Sequence, residues 1–209
     1  ALQGEELFHL VPPPSRGLED GHTRRLVSAF KRLGQPRRVV YVGTTGVYGD
    51  CSGAWVDETR PPAPAADRAV RRLDAEQVLR GWSGATGGEL VVLRVAGIYG
   101  PGRLPLERIR RGLPLLREEE SPYSNRIHVD DLVAACVGAM ERGEPGAVYN
   151  VCDGHPTTMT DYFLRVAEAA GLPPPPLLSM EEAARELSAG MLSYLRESRR
   201  LSNRRMCAE

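Results

Sequence analysis

Three short apolar runs separated by segments of helical period constrain this chain more than any other feature of it. Leu7-Phe8-His9-Leu10-Val11 is stopped by Pro12, Pro13 and Pro14, so it reads as a buried strand ending in a rigid loop. Asp20 then offers an N-cap to a helix whose inner face carries Leu26, Phe30 and Leu33, with Gly34 at its stop. Val39-Val40-Tyr41-Val42 is β-branched and ends at Gly43. A long loop reaches to about Ala65. Ala66, Ala69, Val70 and Leu73 follow at i, i+3, i+4 and i+7, an amphipathic helix that leads to Leu90-Val91-Val92-Leu93-Arg94-Val95. Strands that succeed one another across helices need crossovers, which favours a parallel sheet. The expected fold class is therefore α/β, a doubly wound parallel-sheet body over residues 1–103 with a smaller α/β lobe over 104–209, some of it returning to the main sheet.

In that second part Val129, Leu132, Val133 and Cys136 mark a helix, and Val148-Tyr149-Asn150-Val151 a strand. Met159, Tyr162, Phe163, Val166 and Ala170 mark another helix, closed by Gly171. Pro173 to Pro176 form a stiff connector. Ser179 with Glu182 three residues on is a capping box for a final helix through Ala183, Leu187 and Leu195.

Ligands of doubly wound sheets bind beyond the carboxyl ends of the strands, so the loops after Val11, Val42 and Val95 are where function is expected. Charge narrows the partners. The 27 basic and 27 acidic residues cancel, leaving no field to attract nucleic acid or anionic lipid. No apolar run approaches the roughly 20 residues that cross a bilayer, and no secretory signal pattern opens the chain. Cys51, Cys136, Cys152 and Cys207 are scattered, and His9, His22, His128 and His155 show no ligand spacing. The expectation is no metal, no disulfide framework and a reducing, cytoplasmic compartment. Among the 27 basic residues Lys31 is the sole lysine; the others are arginine.

Gly43-Thr44-Thr45-Gly46-Val47-Tyr48-Gly49 imitates a dinucleotide fingerprint, with glycines three apart directly after a strand. The mechanism asks for more, because the last glycine must open a helix whose N-terminus meets the pyrophosphate. Asp50-Cys51-Ser52-Gly53-Ala54-Trp55 has no helical period, so this segment is read as a turn instead.

Taken in order, these segments resemble the extended short-chain dehydrogenase/reductases, the superfamily of NAD(P)-dependent sugar epimerases and dehydratases. The resemblance rests on Val40 through Gly49, Asp57-Glu58-Thr59-Arg60-Pro61 and Leu93-Arg94-Val95-Ala96-Gly97-Ile98-Tyr99-Gly100-Pro101-Gly102. Asn125-Arg126-Ile127-His128-Val129-Asp130-Asp131, Tyr149-Asn150-Val151 and Leu201-Ser202-Asn203 complete the series. The Asn-Arg-Ile-His form is similar to an atypical bacterial, epimerase-like subgroup. The resemblance implies a Rossmann-like body, NAD or NADP as cofactor, a small-molecule substrate and room for a homodimer. It implies that Val11, Pro12, Pro13, Gly43, Thr44, Arg72, Ala96, Gly97 and Ile98 border the cofactor. Asn125, Arg126 and His128 are then expected on the substrate side.

Two departures limit the functional reading. The superfamily's catalytic Tyr-x-x-x-Lys lies on the helix expected to end here near Glu76, where the lysine lowers the phenol's pKa for proton relay. Here Arg68 and Arg72 stand at those positions, and Lys31 lies on an earlier helix. Arginine keeps its proton and suits anion binding better than proton relay. The superfamily's first strand, glycine-rich turn and first helix would precede Leu7, so the sequence is expected to be a piece that lacks its first strands. Thr44 stands where the superfamily has its catalytic Ser or Thr, beside the alternative of a strand-end turn hydroxyl. Tyr48 is a second polar candidate for the cleft. Pro12 and Pro13 could equally be a plain loop stop. Arg126 could clamp a phosphate or carboxylate, or pair with Asp130 or Asp131 to shape the turn. Arg71, Arg72, Arg199, Arg200, Arg204 and Arg205 read as solvated helix faces. The functional expectation is an NAD(P)-binding oxidoreductase or epimerase-like protein with a degenerate site. The alternative is a non-catalytic dinucleotide or metabolite sensor on the same fold.

Overall fold

The computed structural model describes residues 2–187 and 189–209. Its centre is a four-stranded, all-parallel sheet of β1 (Glu6–His9), β2 (Arg38–Thr44), β3 (Glu89–Val95) and β4 (Val148–Val151), in the spatial order β1-β2-β3-β4. Helix α1 (Gly21–Leu33) connects β1 to β2, and α2 (Asp67–Thr86) lies between β2 and β3. Helix α3 (Val129–Glu141) precedes β4, and α4 (Met159–Ala169) follows it.

The two-residue period of the strands sorts their side chains between two cores. Val39, Tyr41, Leu90 and Val92 point to one face and bury Phe30 of α1 with Ala75, Leu79 and Trp82 of α2. Val40, Val91, Leu93 and Val95 point to the other and meet Ala139 and Met140 of α3. Helices thus cover both faces, which is the doubly wound, Rossmann-like arrangement expected. Each fully buried large side chain contributes about 1.5–3 kcal/mol, so the sheet is held chiefly by these two layers.

Capping explains the element ends. Asp20, fully buried, accepts from the amides of His22 (2.9 Å) and Thr23 (3.1 Å) at the start of α1. Arg38 reaches across the sheet from the start of β2 and donates to the carbonyls of Ala139, Met140 and Gly143 at 2.9–3.1 Å. A cation there satisfies orphan acceptors at the negative end of α3. The capping box of Ser179 and Glu182 is present, opening Met180–Glu186.

Several expectations needed correction. β1 is not a buried strand: it pairs on one side, to β2, and Phe8, Leu10 and Val11 are 43%, 58% and 49% exposed. Leu10 and Val11 lie beyond its end, because the chain turns into the proline loop. Leu33 is exposed, and the inner face of α1 is Thr23, Leu26, Val27 and Phe30 instead. Val133 of α3 is exposed as well. The single last helix is two, Met180–Glu186 and Ala189–Leu195, with the extended residue Leu187 ending the first and Ser188 outside the described residues. Arg200–Leu201 then forms a two-residue parallel pair with Trp55–Val56. The loop before α2 is accordingly not structureless.

Candidate functional site

A cleft of about 950 Å³ opens beyond the carboxyl ends of β2 and β3, where the fold class places its ligands. Pro13 and Pro14 stand at one side, Gly43 to Gly46 and Ala96 to Ile98 at the floor, and Asn125 and Arg126 opposite. Val11, Pro12 and His128 do not line it. Val11 and Pro12 are exposed on the rim, with the Pro12 carbonyl accepting from His22 Nδ1 at 3.0 Å. His128 is the N-cap of α3, its Nδ1 accepting from the Asp130 amide, and its ring stands edge-on to Tyr99 at 5.3 Å.

Gly43 to Gly49 does not open an α-helix. Thr45–Tyr48 is one 3₁₀ turn, so the glycine spacing belongs to a turn. Gly49 ends it at φ +67°, and a Cβ there would sit 2.2 Å from the Ala63 carbonyl oxygen, so no other residue fits without moving backbone. Thr44 caps the turn: its Oγ accepts from the Gly46 amide at 3.1 Å. That contact uses a lone pair only. The hydroxyl hydrogen stays available to an acceptor in the cleft, so the turn-forming and ligand-facing readings of Thr44 are compatible.

Tyr48 does not reach the cleft. Its side chain is 1% exposed, and its hydroxyl donates to Asn150 Oδ1 at 2.8 Å in the core. Burial pushes its pKa up, against the pull of Arg94, so it is a poor acid or base near neutrality. Arg94 lies over the Tyr48 ring at 4.8 Å and binds Glu76 through two contacts of 3.1 and 2.8 Å, both side chains nearly inaccessible. This pair supports the floor: a Cβ on Gly43 would be 3.6 Å from Glu76 Oε1.

Arg68 and Arg72 both reach the cleft, with different fates. Arg68 donates to Ser193 Oγ at 2.8 Å, lies 3.6 Å over the Tyr194 ring and stands 3.9 Å from Glu197. It fastens α2 to the C-terminal segment. Arg72 makes only long contacts from one nitrogen, to the Val42 carbonyl at 3.4 Å and the Tyr41 hydroxyl at 3.5 Å, and no ion pair among the described residues. Burial raises the Tyr41 pKa to about 12, with Arg72 pulling the other way. Arg71, Arg199 and Arg200 are not solvated helix faces. The first two are largely buried, each with its Nε unpartnered among the described residues, and Arg200 lies in a strand pair and donates to the Gly53 carbonyl at 2.7 Å. Arg71 donates to the Gly17 carbonyl (2.6 Å) and Arg199 to the Gly49 carbonyl (2.7 Å), each tying a loop to the cleft wall.

Asn125 is buried and satisfied by backbone, donating to the Arg199 carbonyl (3.0 Å) and accepting from the Leu201 amide (2.8 Å). These contacts position the C-terminal strand, and the side chain also lines the cleft. Arg126 donates to the Asn125 carbonyl at 3.0 Å and packs 4.1 Å over the Tyr162 ring. Among the described residues it has no carboxylate partner, so the pair with Asp130 or Asp131 is not formed; Asp130 lies against His128 instead. Burial lowers its pKa, a sign that its charge is desolvated without full compensation. Arg72 and Arg126 are thus two cleft-lining cations with no ion pair among the described residues.

Tyr194, Glu197 and Arg199 were missed by sequence reasoning. Their approach to the cleft is set by contacts across more than a hundred residues, with Arg68 and Gly49, and no local pattern announces it. Among the described residues no group of three or more potential metal ligands converges, and no helix is long and apolar enough to cross a membrane.

The family model for the NAD dependent epimerase/dehydratase family matches residues 21–152, and the chain belongs to that family. The Escherichia coli protein YeeZ is 30% identical over 139 residues, covering 66% of this chain and 48% of its own length. The chain therefore spans about half the length of that relative. A solved structure described as a functionally unknown conserved protein from Silicibacter pomeroyi superposes with a TM-score of 0.85 at 38% identity, covering 98% of this chain and 71% of that one. A dTDP-glucose 4,6-dehydratase from Bacillus anthracis, solved in complex with NAD, superposes at 0.76 with 18% identity, covering 98% and 66%. That last likeness speaks for the fold alone.

Proposed function

We propose that this chain is the body of a nicotinamide-dinucleotide-binding oxidoreductase or epimerase-like protein that works without the Tyr/Lys pair. The observation that carries this reading is the open cleft at the sheet's carboxyl edge, where the Thr44 hydroxyl and the Arg72 guanidinium stand with unused donors. These residues fit the nicotinamide end of a dinucleotide. Pro13 and Ile98 would cover its apolar faces, the backbone from Ala96 to Ile98 would border it, and Arg72 would take ribose or phosphate oxygens. When bound, the group would supply a hydride acceptor or donor. Thr44 would hold the reacting oxygen of a small-molecule substrate, and Arg126 would fix an anionic part of it. Residues 1–103 would carry the cofactor and 104–209 the substrate side, in a cytoplasmic protein with room to form a homodimer.

Titration of the protein as its gene encodes it with NAD, NADH, NADP and NADPH, read by calorimetry and tryptophan fluorescence, tests the proposal. Saturable binding of at least one is expected; no response to any would end this reading.

A second reading is favoured by one specific observation. Arg68 contacts Ser193, Tyr194 and Glu197, so the position that holds a catalytic tyrosine in the superfamily serves here as a fastening. A non-catalytic sensor of dinucleotide or metabolite would need nothing more. Dinucleotide-dependent turnover of any nucleotide sugar, ketone or aldehyde, lost in Thr44→Ala, would eliminate it.

A further inference from the structure

A second cavity of about 220 Å³ adjoins the cleft, with Met159 and Tyr194 forming part of the wall of both. Its interior is made by Leu115, Leu116, Phe163 and Leu195. Among the described residues, each of three polar side chains on its wall makes a contact to protein backbone. Thr160 Oγ donates to the Leu116 carbonyl at 2.7 Å, and Ser121 Oγ accepts from the Thr160 amide at 3.0 Å. Arg108 donates to the Pro114 carbonyl at 2.9 Å and lies 5.8 Å over the Phe163 ring.

A sugar is a poor occupant for such a space, because only the Ser121 hydroxyl and the remaining Arg108 N–H groups could meet its several hydroxyls, and each one left unmet costs about 1–3 kcal/mol. Water is poorly served for the same reason. The volume exceeds the roughly 150 Å³ that holds a benzene molecule in an apolar cavity, so one aromatic ring or a branched alkyl group fits. Arg126 supplies the other end: it lines the cleft, unpaired by any acid among the described residues, and packs on Tyr162, whose ring meets Phe163 edge-on at 5.7 Å.

We infer that the substrate of this cleft is a small anion carrying an aryl or branched-alkyl arm, its charge on Arg126 and its arm lodged past Met159 between Leu116, Phe163 and Leu195. The inference rests on the proposed function for what the cleft does, and adds which class of molecule it takes. A polyhydroxylated arm is selected against by the side cavity.

Direct binding tests it apart from turnover. Acetate, 4-methylpentanoate, 3-phenylpropanoate and glucuronate are titrated into the full-length protein by calorimetry, with and without saturating NADH. All four carry one carboxylate. Each buried methylene should tighten binding about fourfold, so 3-phenylpropanoate is expected at least tenfold tighter than acetate or glucuronate. Met159→Trp, which narrows the entrance, should bring it back to the acetate level while the thermal unfolding midpoint stays in place. If that variant does not fold, Phe163→Ala enlarges the cavity instead and should shift preference toward 3-(2-naphthyl)propanoate. Equal affinity for all four anions, glucuronate binding tightest, or an apolar preference untouched by the folded variants would each overturn the inference. Dinucleotide binding without an arm preference defeats only the side-cavity reading. Arm preference without any dinucleotide response defeats only the proposed chemistry.

Discussion

Arg126 and Arg94 show what one guanidinium does with and without a partner. Arg126 is desolvated and faces the cleft with no carboxylate partner among the described residues, at some expense to stability. Arg126→Gln should weaken carboxylate or phosphate ligands about tenfold or more, near 1.4 kcal/mol, while leaving the urea midpoint unchanged or higher. A midpoint that drops with affinity untouched would make it a structural residue. Arg94 is the opposite case, closed off with Glu76 under Gly43. Arg94→Met strands a buried carboxylate and should cost about 3–5 kcal/mol, whereas Arg94→Met with Glu76→Leu should recover most of it. Equilibrium urea unfolding of the single and double variants separates the two.

At the scale of elements, β1 and α1 are joined through a polar contact that titrates. His9, the one buried residue of β1, sits with Nε2 2.7 Å from Thr23 Oγ, and Thr23 donates its own hydroxyl hydrogen to Asp20 at 2.9 Å. Thr23 therefore accepts, and His9 is the neutral tautomer protonated at Nε2. Burial lowers its pKa from 6.5; Asp20 opposes this, and Arg72 and His22 add to it. The unfolded chain binds the extra proton first, so this contribution is complete above about pH 6.5 and is lost as pH falls through the folded value. The urea midpoint should fall between pH 7 and pH 5, and His9→Gln should flatten that slope. An unchanged slope would place the acid sensitivity elsewhere. The same elements show what sequence pattern could and could not give. α1 with its Asp20 cap, the start of α2 and β2 to β4 were legible because cap chemistry and apolar period are local, but α2 runs on to Thr86 rather than ending near Glu76, closed by the left-handed Gly87. The burial of β1 was misjudged, since an apolar run looks the same whether or not a neighbour covers it. The break near Leu187 was missed because the apolar period runs through it.

Over the whole molecule, the parallel sheet and the location of the cleft followed from the order of strands and helices, and the cleft residues Gly43, Thr44, Arg72, Ala96, Gly97, Ile98 and Arg126 lie together there. Tyr48 was misplaced because the turn after β2 rotates it inward, and the closing wall came from contacts far apart in sequence. The sheet's margin carries its own expectation. With Phe8 exposed beside unpaired backbone, the 209-residue chain should self-associate with rising concentration in sedimentation, and Phe8→Lys should shift it toward monomer. Monomeric sedimentation throughout the concentration range would count against an adhesive edge. The pairing of Arg200–Leu201 with Trp55–Val56 also sets an order in time. A nascent chain can assemble its four strands once Val151 has emerged, yet Leu201 is needed to seal Tyr48, Cys51, Val56, Ala96 and Cys152 beneath the cleft. At about 5–20 residues per second, the intervening stretch takes a few seconds to synthesise. For that interval the sheet exists before the Leu201 contacts that complete the packing beneath the cleft.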